Sequence, residues 1–259
     1  MNYSICITYY YKRNNIISLL RELNKYKKKK LEKIIKNDNP NHILKLDKKY
    51  CKRHKVKIYN EKEESLGELK SIKFLIDKAS NGIISIIADD DLLFIKVFDY
   101  LDKEDQIFDV GIFPITNTKL NINKKNHYYI HSREDIISNF FKKKINISGT
   151  IATFYKKKFL KKIIKDFKNK KYYFDTLLFL KSIFEGKFIF YNEVLGFNNV
   201  KSSRISSTSI NLELDLHDNL LLLNYLKNKK HDYLYFQLIR FYLNNFYSVF
   251  FRVYDKKNI

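Results

Sequence analysis

Apolar positions along the chain follow two rhythms, short β-rich runs and longer helical repeats. Tyr3-Ser-Ile-Cys-Ile-Thr-Tyr9 reads as a strand. Ile16, Leu19, Leu20 and Leu23 then recur at helical spacing behind the potential caps Asn14 and Asn15. Lys33-Ile-Ile-Lys36 predicts a second strand, closed by the turn cluster Asn37-Asp38-Asn39-Pro40, and Val56-Lys-Ile-Tyr59 predicts a third. Leu66, Leu69, Ile72, Phe74, Leu75 and Ile76 predict a helix ended by Asn81-Gly82. Ile83-Ile-Ser-Ile-Ile-Ala88 follows, an apolar run typical of a strand buried on both faces, and it stops abruptly at Asp89-Asp90-Asp91.

The second half is less regular. Val110-Gly-Ile-Phe113 reads as a strand, and Ile147–Tyr155 as a turn followed by another. Tyr172–Phe184 predicts a helix ended by Gly186, with Lys187-Phe-Ile-Phe-Tyr191 as a further strand. Asn198–Ser209 is polar and holds five serines, so a mobile loop is expected there. Two helices are expected at about Leu212–Leu226 and Asp232–Tyr254. Strand, helix, strand, strand, helix, strand defines an α/β chain with a covered, mostly parallel sheet. Ligands of such sheets bind beyond the carboxyl ends of the strands, where both Asp38 and the three aspartates fall.

Composition narrows the class. The 259 residues carry 45% apolar and 16% aromatic side chains, enough for a sizeable core. Cys6 and Cys51 give neither a disulfide framework nor a zinc cluster, which suits a reducing compartment. No apolar run approaches the ~18 residues of a spanning helix. The opening MNYSICITYYYKRNN has no basic region ahead of an apolar stretch, so no signal peptide is expected and a cytoplasmic location is.

Charge is the most unusual feature, with 50 Lys and Arg against 28 Asp and Glu and a net +22. The segment Lys12–Lys57 alone holds 17 basic and 4 acidic residues. That flank suits phosphate, whether in a nucleotide, a nucleic acid or an anionic membrane surface. Part of it matches the A/T-rich codon preference also visible in the abundant Asn, Ile, Tyr and Phe. Lys outnumbers Arg 43 to 7, whereas surfaces that read bases favour Arg.

Three adjacent carboxylates at the end of an apolar strand repel one another. A hard divalent cation relieves this, since Mn²⁺ or Mg²⁺ takes carboxylate oxygens and keeps positions open for phosphate. The cluster therefore reads as a metal–diphosphate site; a solvated turn, or a cap for the next helix, is the plainer alternative.

Over roughly Ser4–Ser207 the sequence resembles the family 2 glycosyltransferases of the GT-A fold. Ser4-Ile-Cys-Ile-Thr-Tyr-Tyr-Tyr-Lys-Arg13 is similar to that family's first strand and nucleotide-contacting turn. Lys33-Ile-Ile-Lys-Asn-Asp38-Asn resembles its second strand, and Ser65-Leu-Gly67 its glycine-containing segment. Ile86-Ile-Ala-Asp-Asp-Asp-Leu-Leu93 is similar to its DxD motif. Phe174-Asp175, followed eleven residues later by Gly186, matches the frame of its catalytic base, and Asn198–Ser207 its diphosphate-covering loop. The departures are Thr8 in place of a frequent Pro, Phe174 in place of the first acid of a Glu-Asp pair, Ala88 at a position the motif's first Asp could take, and a loop without its frequent His.

The resemblance implies a GT-A, Rossmann-like fold: a mostly parallel mixed sheet flanked by helices, with a C-terminal helical extension. Residues 1–100 would form the nucleotide-sugar half, 101–207 the acceptor half with base and loop, and 208–259 the extension. It implies an inverting, hexosyltransferase-type enzyme that uses a nucleotide sugar, UDP-linked, to extend a glycan or lipid-linked acceptor of the bacterial surface-polysaccharide type. Thr8, Tyr9, Tyr10, Arg13, Asp38, Gly67, Asp89 and Asp90 would bind the nucleotide. Asp91 would hold Mn²⁺ or Mg²⁺, leaving open which two of the three aspartates form the motif. Asp175 would be the general base; its plainer role is capping its helix. Lys201, Ser203 and Arg204 would meet the diphosphate. Further partners expected are an anionic membrane surface at the inner face and a second copy through the C-terminal helices, with no nucleic acid.

Two rival readings stand beside this one, a basic nucleic-acid-binding protein and a GT-A-like protein that binds sugars or lipid carriers without catalysis. His127 and His131 lack a zincin pattern, and GxGxxG, GxxxxGK[ST] and GxSxG do not occur. Ten of the 41 aromatic residues lie between His231 and Tyr254, which suits core packing, a dimer contact or a membrane interface.

Overall fold

A computed structural model describes residues 1–9, 13–27, 31–104, 108–117, 132–141, 144–165, 167, 174–198, 224 and 227. Two compact units emerge, one of residues 1–129 with 146–209 and one of 130–145 with 210–259.

The larger unit is built on a seven-stranded sheet. Its strands are β1 (Tyr3–Tyr9), β2 (Leu31–Asn37), β3 (Val56–Asn60), β4 (Ile83–Ala88), β6 (Val110–Ile112), β8 (Thr153–Lys156) and β9 (Phe188–Phe190). They lie in the order β3-β2-β1-β4-β8-β6-β9. β3, β2, β1 and β4 run parallel, β8 is antiparallel to both β4 and β6, and β9 is parallel to β6. The expected mostly parallel, mixed sheet flanked by helices is therefore the observed one. A second small sheet joins β5 (Leu92–Leu93), β10 (Gly196–Phe197) and β7 (Ile115–Thr116).

Crossover helices cover the parallel strands, as parallel pairing requires. They are α1 (Arg13–Leu23), α2 (Lys48–His54) and α3 (Glu68–Lys78), followed by α4 (Lys96–Lys103). Ile16, Leu19, Leu20 and Leu23 of α1 are buried in one cluster with Ile5, Ile7 and Phe98. α2 has no buried residue and no apolar stripe; the Asp47 carboxylate caps it by accepting the Tyr50 amide at 2.8 Å, and Lys55 ends it in the left-handed region.

β2 is buried along its whole length although it carries Glu32, Lys33 and Lys36. Each polar group has a partner, as burial demands. The Glu32 carboxylate accepts from Ser4 Oγ at 2.7 Å, from Lys57 Nζ at 2.6 Å and from Ser80 N and Oγ at 2.9 and 2.8 Å. Lys36 pairs with Glu61 at 2.6 Å over the Phe74 ring.

Farther along, α6 (Lys157–Ile164) packs against both β8 and α7 (Phe174–Glu185). In the smaller unit α5 (Arg133–Phe141) opens with a capping box, Ser132 Oγ accepting the Asp135 amide and the Asp135 carboxylate accepting the Ser132 amide. Asn224 and Lys227 are helical; the rest of the expected C-terminal helices lies outside the described residues. No helix among the described residues is long and apolar enough to cross a membrane.

Candidate functional site

The register of the parallel strands brings the predicted residues to one edge. Thr8 lies opposite Lys36 of β2 and Ala88 of β4, and Tyr9 opposite Asn37. Beyond the last paired residues the ladder continues on both sides. Asp38 N donates to Tyr9 O and Asp89 N to Thr8 O, each at 3.0 Å. The ends of three strands thus place Thr8, Asp38 and Asp89 side by side. Tyr9 itself points into the core, with its ring 6.1 Å from His42.

Asp38 fixes the segment that opens α3. Its carboxylate accepts from Ser65 Oγ at 2.6 Å, Leu66 N at 2.8 Å and Gly67 N at 2.9 Å. Gly67 has φ 78° and ψ 161°, a region essentially restricted to glycine. A Cβ there would meet nothing within 4 Å, so the space beside the backbone is open. The glycine is required by its conformation, and the open space leaves room for a ligand.

Asp89–Asp91 form a turn after β4, closed by Asp91 N donating to Ala88 O at 3.3 Å. Asp91 is 7% exposed, while Asp89 and Asp90 are half-buried. Among the described residues no three His, Cys, Asp or Glu side chains converge as a metal cage. Mg²⁺ and Mn²⁺ at phosphate sites commonly use one or two carboxylates and complete their shell with phosphate oxygens and water, so this donor set fits such an ion.

Asp175 lies in the first turn of α7, half-buried, with a carboxylate oxygen accepting Thr176 N at 2.8 Å. Burial raises its pKa above the ordinary carboxylate value, against the opposing pull of the Thr176 amide. The loop before β8 holds this turn in place. A Cβ on Gly149 would come within 2.1 Å of Asp175 O and 2.7 Å of Phe179 N. Gly149 O accepts the buried Tyr155 hydroxyl at 2.5 Å, and Ser148 O accepts Thr153 Oγ1 at 2.6 Å. Ala152 has φ 57°, strained for a non-glycine residue, and it closes the expected turn from which β8 starts at Thr153. Gly186 ends α7 as expected, and a Cβ there would strike the Phe159 ring at 2.6 Å.

One acid was not anticipated. Glu68, in the first turn of α3, has its pKa pushed up to about 7, first by the protein around it and then by the Asp175 carboxylate. Its side chain is exposed, so water moderates the size of the effect. Its only signal in the sequence is its place directly after Gly67, at a helix start where acids are common.

Arg13 opens α1, but its side chain, like Tyr10, Lys201, Ser203 and Arg204, lies outside the described residues. Two cavities, of about 440 and 640 Å³, lie away from these acids, one on α4 beside Lys96, Tyr100 and Asp102, the other beside Ser80–Ile83 and α6.

The fold has solved counterparts. S. aureus TarS, residues 1–349, is similar with a TM-score of 0.69 and 14% identity over 94% of this chain and 72% of that one. The same TarS fragment with UDP-GlcNAc gives 0.59 at 14% identity, covering 81% of this chain and 62% of that one. With UDP it gives 0.59 at 16% identity, covering 76% and 60%. At these identities the likeness establishes the fold. No protein-family model matches the sequence, and no curated protein matches it.

Proposed function

We propose that the chain is an inverting glycosyltransferase of the GT-A, family 2 type. It would move a sugar from a UDP-linked donor to a hydroxyl of a glycan or lipid-linked acceptor. One observation carries this reading: Thr8, Asp38 and Asp89 meet at the carboxyl edge of β1, β2 and β4, in a fold that in TarS is seen with UDP-GlcNAc and with UDP bound.

In this reading the donor's nucleoside rests on the Thr8–Asp38–Gly67 edge. Asp38 is engaged with Ser65–Gly67, so its first task is to hold that turn open for the base. Asp91 would hold Mn²⁺ or Mg²⁺, which when bound supplies positive charge against the diphosphate leaving group. Asp89 or Asp90 would orient ribose or sugar, and Lys201, Ser203 and Arg204 would meet the phosphates.

Asp175 is the general base. As the acceptor oxygen forms its bond to the anomeric carbon, the bond to the diphosphate oxygen breaks on the opposite face. The hydroxyl proton passes to Asp175, and configuration inverts. A carboxyl with a raised pKa is the stronger base, provided it is ionised at the working pH. A panel of nucleotide sugars incubated with Mn²⁺ tests the reading; release of free nucleoside diphosphate from one of them supports it, and inertness of the whole panel, with and without candidate acceptors, contradicts it.

A further inference from the structure

Five lysines of one short segment fall on a single arc. At about 100° per residue, Lys157, Lys158, Lys161, Lys162 and Lys165 span roughly 140° of the α6 surface, and Phe159, Leu160, Ile163 and Ile164 occupy the opposite arc. Leu160, Ile163 and Ile164 are buried against the fold, so the lysine arc faces outward. Lys158, Lys162 and Lys165 are exposed, and among the described residues no carboxylate pairs with them. Among the described residues, Asp77 pairs with Lys161 of this arc at 2.5 Å, and Asp109 lies 3.8 Å from the neighbouring Lys156. Lys157 is tied to the carbonyls of Ala79 and Asp77. Beside the arc the 640 Å³ cavity opens between Ser80–Ile83 and Lys156–Lys158 with Lys161.

We propose that this lysine face of α6 docks the protein on an anionic phospholipid surface. The reasoning is charge complementarity. The face carries lysine alone, and lysine is a compact charge suited to a diffuse array of headgroup phosphates. Among the described residues it has no Arg fork for base edges and no exposed aromatic ring for base stacking, which disfavours nucleic acid. The apolar arc of α6 is already buried, so the helix adsorbs and does not insert. The face lies at the amino end of β4, roughly 20 Å from the aspartates at its carboxyl end, so docking leaves the strand-end site uncovered. The densest sequence charge, Lys12–Lys57, pointed to a different part of the chain.

Vesicle sedimentation tests this without reference to any enzymatic activity. The full chain should bind vesicles containing phosphatidylserine or phosphatidylglycerol, leave pure phosphatidylcholine vesicles unbound, and be released at roughly 0.5 M salt, where charge is screened within ~4 Å. Lys158→Glu/Lys162→Glu/Lys165→Glu should lower binding at least about tenfold at unchanged Tm. Lys48→Glu/Lys49→Glu/Lys52→Glu, the same charge change on exposed positions of α2, should retain it. Equal binding to neutral vesicles, equal loss in the α2 variant, or preferential binding of RNA or of inorganic phosphate at the same face overturns the proposal.

Discussion

Gly149 lies against the start of α7 so closely that a Cβ on it would come within 2.1 Å of the Asp175 carbonyl oxygen. The opposing atoms are backbone, so no rotamer relieves the contact. Gly149→Ala is expected to destabilise the fold by about 2–3 kcal/mol and to displace Asp175. Denaturant unfolding reads the first effect. An unchanged midpoint would show that the loop before β8 yields where the packing says it cannot.

Asp38 joins β2 to the α3 start through three hydrogen bonds. Asp38→Ala leaves two backbone amides and a hydroxyl to find new partners, at a cost on the order of 2 kcal/mol. Binding of UDP should weaken by more than the stability loss explains, because the turn that would face the base loses its support. Isothermal titration of folded variant checks this; full affinity would assign Asp38 a purely structural role.

Glu32 gives the sheet a pH dependence. Burial alone would raise its pKa, but Lys57, the Ser80 amide, Ser4 and the Ser80 hydroxyl outweigh it and hold the carboxyl at about 2. A depressed pKa stabilises the fold above the unfolded value of about 4.3 and loses that contribution as pH falls towards 2. Glu32→Gln should cost on the order of 2–3 kcal/mol at pH 7, and the gap to wild type should close between pH 4 and pH 2. A gap independent of pH would assign the loss to packing.

Asp175 has the opposite sign. Its raised pKa means the fold disfavours its charged form, so its contribution is complete below the unfolded pKa and falls as pH rises through the raised value. Asp175→Asn should therefore raise Tm at pH 7 by a few degrees while transfer falls about 10²–10⁴-fold. In that variant Glu68, relieved of a neighbouring charge, should titrate below about 7, nearer its ordinary value. Carboxyl NMR follows the change; an unmoved Glu68 would show that the two acids do not interact.

Much of the architecture was legible because strand identity and burial coincide in a parallel sheet. Tyr3–Tyr9 and Ile83–Ala88 have the bounds their apolar runs predict, and the aspartates sit at the strand end where the run breaks. What escaped has physical reasons. Helix α2 carries no apolar stripe, and only Asp47 marks its start. The α3 helix begins at Glu68 and not at Leu66, because Asp38 holds Ser65–Gly67 in a turn. Strands β5, β7 and β10 are two residues each, too short for any period. Glu68 acquires meaning only through Asp175, 107 positions away in the chain, which local spacing does not encode.

The central claim, a nucleotide-sugar site at the carboxyl edge of β1, β2 and β4, meets its most direct test in thermal unfolding with UDP and Mn²⁺. The account predicts that 1 mM of each together raises Tm by several degrees. It predicts that neither alone does so to the same extent and that Asp91→Ala abolishes the shift. No shift with wild type, or an undiminished shift in Asp91→Ala, would contradict it.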